Sequence, residues 1–323
     1  MRKEDLRIVF MGTPEFAVET LKALVENDYN VVAVVTQPDK PVGRHQTEMQ
    51  PSQVKQYAVA HGLPVLQPEK MKDPEFVEQL RSYNANLQVV VAFRMLPEVV
   101  WAMPEYGTFN VHAALLPQYR GAAPINWAVI NGETQTGVTT IFLDHDIDTG
   151  RIILKKTFDI PDEADVEYVY DGLMHLGAEI CLETLEAIVA ANGHPDSIPQ
   201  DSVLDGSAIK PAPKIFKETC EIDWKKTAKQ VYDFVRGLSP YPGAWTTLVA
   251  PDGKETVLKI YKTRKTGKPG KGIGTITIEG KALCVSAADE QLEIVELQLA
   301  GKKRMMARDF LNGMKQIEDY RVK

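Results

Sequence analysis

The sequence has 323 residues, a length that suits two compact cores better than one. With 44% hydrophobic and 25% charged residues it has the composition of a globular protein. That excludes disordered and fibrous classes, and no apolar run approaches the ~18–20 residues that span a bilayer. The formal net charge of −7 hides an asymmetry. Met1–Ile209 holds 15 Lys+Arg against 30 Asp+Glu, a balance of −15, whereas Lys210–Lys323 holds 22 against 14, a balance of +8. A basic segment joined to an acidic one points to a polyanionic partner, beside the plainer reading of a solvated basic surface.

The first half alternates strand-like and helix-like segments. Leu6–Met11 is an apolar strand, and Thr13-Pro14-Glu15 predicts a helix start with Thr13 as N-cap. Val31–Thr36 is a second strand, followed by a turn-rich loop, Gln37–Pro51. Ser52 caps a predicted helix to His61, Pro64–Leu66 is a short strand, Asp73-Pro74 opens another helix, and Leu87–Phe93 reads as a strand buried on both faces. Thr108–His112, Val138–Leu143 and Ile152–Phe158 are further strands, with Pro124–Val129 helical. This alternation predicts an α/β fold, a doubly wound, mostly parallel sheet with helices on both faces. A long helix-period segment, Asp165–Ala191, stops at Asn192-Gly193. The polar stretch after it reads as a linker. A helix near Ala228–Gly237 and short strands at Ala244–Val249, Thr256–Tyr261, Gly274–Ile278, Leu283–Ser286 and Leu292–Leu299 then predict a small β-barrel. The expected organisation is 1–192, a linker at 193–208, and 209–323.

Two segments carry chemistry. In Phe109-Asn110-Val111-His112 the strand period puts Asn110 and His112 on one face, ~6.6 Å apart along the backbone. A carboxamide beside an imidazole offers donors to an oxygen that turns negative during acyl transfer. Between two predicted strands lies Asp144-His145-Asp146-Ile147-Asp148-Thr149-Gly150, where one carboxylate in a cleft can act as general base. A lone strand histidine is more often core or surface, and Asp-x-Asp-x-Asp-x-Gly also resembles the start of a calcium loop. Lys155 at that loop's twelfth position weakens the calcium reading. Met11-Gly12-Thr13-Pro14-Glu15-Phe16 lacks a dinucleotide phosphate loop, and no Walker A loop, Gly-x-Ser-x-Gly elbow or His-Glu-x-x-His occurs. Cys181, Cys220 and Cys284 are too widely spaced for a zinc cluster or disulfide framework, and the N-terminus lacks a signal peptide's long apolar segment. A cytoplasmic location is expected.

Asn110–Pro124 together with Gly137–Gly150 resembles the signature of the folate-dependent formyltransferases. Gln37-Pro38-Asp39-Lys40-Pro41-Val42-Gly43-Arg44, Ile222-Asp223-Trp224, Arg236–Ala244 and Gly301-Lys302-Lys303-Arg304-Met305-Met306 are similar to the methionyl-tRNA formyltransferase family, in the family's order. The resemblance implies a catalytic trio of Asn110, His112 and Asp148, with Asn110 and His112 meeting the oxyanion and Asp148 accepting the amine proton. It implies 10-formyltetrahydrofolate as co-substrate, held by Arg94, Met95, Leu96, Ala114, Leu115, Leu116, Pro117 and Asp146, and no metal. It further implies initiator methionyl-tRNA as acceptor, an OB-like C-terminal domain, and tRNA contacts at Arg44, Lys302, Lys303 and Arg304. A monomer with no membrane partner is expected. The chain departs from the family at Ala114, where a Ser is usual, at Phe93-Arg94-Met95, and at His45–Glu48, where the loop is usually Lys-rich. Formyltransferases of ribonucleotides or nucleotide sugars, a folate hydrolase and a non-catalytic RNA-binding protein are the rival readings.

Overall fold

The computed structural model of the protein describes residues 1–42 and 48–323, so Arg44 lies outside the described residues. The chain forms two compact units. One comprises Met1–Gly121, Thr136–Phe158 and Tyr170–Pro211, and the other Ala122–Gln135, Asp159–Val169 and Ala212–Lys323. No described helix is long and apolar enough to cross a membrane.

The chain begins with β1 (Ile8–Gly12), α1 (Glu15–Glu26), β2 (Val31–Val35), an antiparallel pair β3 (Lys40–Val42) and β4 (Glu48–Gln50), α2 (Gln53–Ala60) and β5 (Val65–Leu66). It continues through α3 (Pro74–Ser82), β6 (Leu87–Val91), α4 (Glu98–Trp101), β7 (Thr108–His112), β8 (Arg120–Gly121) and α5 (Pro124–Ile130). Then come β9 (Gln135–Phe142), β10 (Ile152–Asp159) and α6 (Val166–Ala190). The sheet order is β10-β9-β7-β6-β1-β2-β5. The pairs β1–β2, β1–β6, β2–β5 and β6–β7 are parallel, and β7–β9 is antiparallel. Every residue of β1 and β6 is buried, which is why both are mostly apolar without alternation, Gln88 being the one polar side chain. The chain winds outward from β1 to β5 and returns to β6 on the other side of β1. That reversal is a switch point, outside whose strand ends ligand sites form.

The expected caps at Ser52 and Asp73 form: Ser52 Oγ accepts the Lys55 N–H at 3.0 Å and Asp73 Oδ1 accepts the Glu75 N–H at 3.1 Å. The cap expected at Thr13 does not. Pro14, held extended, takes the N-cap position instead, and the Thr13 hydroxyl is buried without a partner among the described residues.

In the second unit, after β11 (Pro211–Ala212), α7 (Ala228–Leu238) opens on a capping box between Thr227 and Gln230. An ideal Cβ on Gly237 would lie 2.6 Å from Ile130 Cγ1, so only glycine lets α7 approach α5 this closely. Buried Arg236 donates from Nε to Asp233 Oδ1 at 2.9 Å and from Nη1 to the Ala164 carbonyl at 3.0 Å. The strands are β12 (Ala244–Val249), β13 (Glu255–Pro269), β14 (Ile276–Glu279), β15 (Ala282–Ser286), β16 (Glu290–Leu299), β17 (Met305–Met306) and β18 (Arg321–Val322), with α8 (Ala307–Gly313) before the last. They form an antiparallel sheet in the order β14-β15-β16-β13-β12-β18. Its two edges meet where Thr275 bridges Arg321 and the Val322 N–H donates to the Gly274 carbonyl at 3.0 Å, so the sheet curls back on itself. Inside it Leu258, Ile260, Leu292 and Leu297 pack with Val235 and Phe310.

β13 runs far beyond the six residues expected, and its register with β16 shifts between Ile260 and Lys262. Ile260 lies opposite Leu297 and Lys262 opposite Glu296, two residues against one. Simple alternation puts Lys259 and Lys262 on opposite faces. With this bulge, Lys259 opposite Gln298 and Lys262 opposite Glu296 share the outer face.

Candidate active site

β7 pairs with β6 on one side and β9 on the other, which fixes Asn110 between Val90 and Ile141. Asn110 is half-buried, and its carboxamide has no hydrogen-bond partner among the described residues. His112, at the carboxyl end of β7, is 5% exposed. Its Nε2 lies 2.9 Å from the Tyr119 carbonyl, so this nitrogen carries a hydrogen and donates it there. Nδ1 therefore faces Asp148, whose Oδ1 is 3.7 Å away.

Phe142, the end of β9, lies opposite Phe109, three residues before His112. The loop of Leu143–Gly150 must double back to bring Asp148 to the imidazole. Three features hold it there. Gly121 N–H donates to Asp148 Oδ2 at 3.0 Å. An ideal Cβ on Gly150 would sit 1.6 Å from the Phe142 carbonyl oxygen, so the loop closes only with glycine. Gln200, 3% exposed, donates from Nε2 to the carbonyls of Asp148 at 2.7 Å and Gly150 at 2.8 Å. Its Oε1 in turn accepts from Arg120 Nε at 3.0 Å and Nη2 at 2.7 Å.

Ala92, Tyr119 and Asp148 all have positive φ, at 47°, 60° and 55°. Left-handed backbone is uncommon outside glycine and a genuine outlier for a residue as bulky as Tyr119. It persists because the Tyr119 N–H donates to the Lys210 carbonyl at 2.7 Å while the Tyr119 carbonyl receives His112. Strain of this kind collects at functional sites.

The residues expected to line a folate site divide into two groups. Ala114, Leu116 and Pro117 are buried. Thr139 Oγ1 donates to the Ala114 carbonyl at 2.6 Å and accepts the Leu116 N–H at 3.1 Å, while Leu116 packs with Ile141 and Ile152. Leu115 alone of this run is half-buried. After β6, Leu96 and Phe93 join Leu143 in one apolar cluster with Val90 and Val100, so the two loops share a wall. Met95 is 73% exposed and Asp146 is exposed. Arg94 donates from Nη1 to the Glu69 carbonyl at 2.8 Å and from Nη2 to the Pro68 carbonyl. Burial lowers its pKa, its Nε has no partner, and no carboxylate pairs with it among the described residues. An apolar wall beside an uncompensated guanidinium suits a flat ring system carrying an acid.

Gln200 and Arg120 escaped the sequence reading because a glutamine in a polar stretch with two prolines looks like linker. The 193–208 stretch is in fact tied to the sheet, Ile152 and Ile198 exchanging backbone bonds of 2.8 and 2.9 Å. No periodic signal marks such a residue.

Several basic residues of the second unit are ion-paired. Arg264 pairs with Glu293, Lys265 with Asp162, Lys268 and Lys271 with Glu279. Arg304 is bidentate to Glu296, at 2.6 and 2.9 Å, and lies 4.1 Å over the Tyr261 ring. Lys259, Lys262, Lys302 and Lys303 have no carboxylate partner among the described residues.

The doubly wound sheet brings His112 and Asp148 together, with Asn110 two residues earlier on the same strand. Residues 6–185 match the family model described as "Formyl transferase", and residues 214–315 match "Formyl transferase, C-terminal domain". The chain is 60% identical to a methionyl-tRNA formyltransferase of Parabacteroides distasonis, over 100% of both chains. It is 56% identical to one of Bacteroides fragilis, over 100% of this chain and 99% of that one. These matches place the chain in the formyl transferase family, among the methionyl-tRNA formyltransferases. Solved structures share the fold. One is HypX from Aquifex aeolicus in complex with tetrahydrofolic acid (TM-score 0.62, 20% identity, 96% of this chain and 48% of that one). Another is the sugar 3N-formyl transferase WlaRD (TM-score 0.62, 17% identity, 92% and 99%).

Proposed function

We propose that the enzyme transfers the formyl group of 10-formyltetrahydrofolate to the α-amine of methionine esterified to initiator tRNA, with Asn110, His112 and Asp148 as the catalytic residues. The observation that carries this reading is the Asp148–His112 pair at 3.7 Å beside the unpartnered Asn110 carboxamide, in a chain 60% identical to a methionyl-tRNA formyltransferase. When bound, the reduced folate supplies an activated one-carbon acyl group. The Phe93–Leu96 and Leu143 wall, Leu115, Asp146 and the carbonyl-anchored Arg94 would hold it.

The residues divide the work by geometry. Asn110 presents N–H donors that no other described group uses, as a preorganised oxyanion donor must. His112 is fixed through Nε2 by Tyr119, leaving Nδ1 as the atom that carries or gives up a proton at the reacting centre. Asp148 Oδ2 is occupied by Gly121, so Oδ1 is the oxygen available to balance a charged imidazole and to take the proton lost by an amine.

The 209–323 segment, with an OB-like barrel, would grip the tRNA backbone through Lys302 and Lys303, and Arg44 would meet the acceptor stem. Arg304 contributes by ordering Tyr261, its charge being spent on Glu296. The deciding experiment incubates the protein with 10-formyltetrahydrofolate and charged initiator tRNA, and separately with water, glycinamide ribonucleotide and a dTDP-amino sugar. Formylmethionine in the first reaction alone is expected. Formate release without it, or formylation of another acceptor, overturns the reading.

A further inference from the structure

Tyr241 is 83% exposed, the most exposed large hydrophobic side chain among the described residues, and no other described residue bonds its hydroxyl. Packing therefore gives no reason for an aromatic residue here. The position is nonetheless held firmly. Pro240 and Pro242 flank it and fix their φ angles, and the Gly243 N–H donates to the Leu238 carbonyl at 2.8 Å, tying the loop to the end of α7. The loop also lies against the outer face of β13: an ideal Cβ on Gly243 would meet Tyr261 Cε1 at 3.5 Å and Lys259 Cδ at 3.7 Å.

That face holds cations with no carboxylate partner among the described residues. Lys259 and Lys262 share it because of the bulge at Tyr261, opposite Gln298 and Glu296. Gln298 accepts the Tyr261 hydroxyl at 2.8 Å and donates from Nε2 to the Lys302 carbonyl at 3.0 Å, which fixes the Lys302-Lys303 turn beside them. An exposed aromatic ring on a stiff loop, among lysines with no carboxylate partner, is the arrangement by which proteins hold an unstacked nucleobase between flanking phosphates. A protein partner of acidic character would use the lysines but gains no comparable advantage from a lone, upright ring.

We propose that Tyr241 is a stacking platform for one unpaired base of the bound RNA, with Lys259, Lys262, Lys302 and Lys303 on the adjoining phosphates. The proposal rests on the reading that the enzyme takes initiator tRNA. It is tested with the full-length protein and uncharged initiator tRNA, measuring the dissociation constant across a salt series for wild type, Tyr241→Ala, Tyr241→Leu and Tyr241→Trp. Loss of one stack weakens binding about tenfold. The Ala and Leu variants should both show it, with the salt dependence of wild type, because no phosphate contact is lost. The Trp variant, which keeps a π face, should bind within about twofold of wild type. Unchanged affinity for Ala or Leu overturns the proposal, as does a loss that Trp shares. Wild-type protein that fails to bind initiator tRNA would overturn the parent reading, and the proposal with it, a result distinguishable because no variant is involved.

Discussion

Replacing Gln200 by leucine tests whether the loop of Leu143–Gly150 is held by a residue outside the proposed trio. The substitution keeps the side-chain volume and removes every polar bond. Gln200 makes two neutral bonds to the carbonyls of Asp148 and Gly150 and accepts a charge-assisted pair from Arg120. At ~1 kcal/mol for each neutral bond and ~2 kcal/mol for the charge-assisted pair, counted once because both bonds share one oxygen, the ceiling is ~4 kcal/mol. Arg120 is half-buried and regains water when its partner goes, so about half of that total falls on the loop. If those ~2 kcal/mol are felt only when Asp148 must meet His112 in the transition state, turnover falls ~30-fold with little change in substrate affinity. Gln200→Glu keeps an acceptor for Arg120 but loses both donors, so it should resemble leucine in rate while melting closer to wild type. Single-turnover formylation of charged initiator tRNA, with substrate titrations and thermal melts, separates the two effects. Turnover within ~twofold of wild type, with only a lower melting temperature, would refute the positioning role.

Asp148→Asn and His112→Ala should each lower turnover by at least ~10²-fold, the scale of positioned acid–base and oxyanion groups. Wild-type turnover with wild-type affinity in either would remove that residue from the mechanism. The Lys302→Ala/Lys303→Ala pair should flatten the plot of log affinity for tRNA against log salt by ~1.5, because each lost phosphate contact lowers the slope by ~0.7–0.9. Arg304→Ala, already paired with Glu296, should leave that slope near wild type, and an equal flattening would contradict the ion-pair geometry. Asp39 is hydrogen-bonded by Lys55 and Gln67, and both hold its carboxyl below the usual carboxylate range. A depressed folded-state value stabilises above the unfolded value of ~4 and is lost as pH falls through the folded value. Thermal melts of wild type and Asp39→Asn should therefore differ at pH 6 and converge in acid; a constant difference down to pH 2 would be evidence against this linkage.

The sequence alone was enough for the main strands of the first sheet and for placing Asn110 and His112 on one face of β7. β1 and β6 are short, mostly apolar runs whose lack of alternation reflects burial on both faces, and hydrophobicity is a property of each residue's own side chain. Asn110 and His112 share a face because strand alternation is local, and Ser52 and Asp73 cap helices through bonds to residues two or three positions ahead. Tertiary structure decided what depends on partners far along the chain. The role of Gln200 arises from carbonyls 50 and 52 residues away, which no local pattern encodes. Antiparallel β9, the return of its loop to His112, and the left-handed backbone of Tyr119 follow from sheet pairing and from the Lys210 carbonyl. The basic surface shows the same division. Composition located the positive charge in the second half. Only folding paired Arg264, Lys265, Lys268, Lys271 and Arg304 with carboxylates. Only the β13 bulge brought Lys259 and Lys262 to one face, because inserting one residue into a strand reverses the alternation that a sequence is read by.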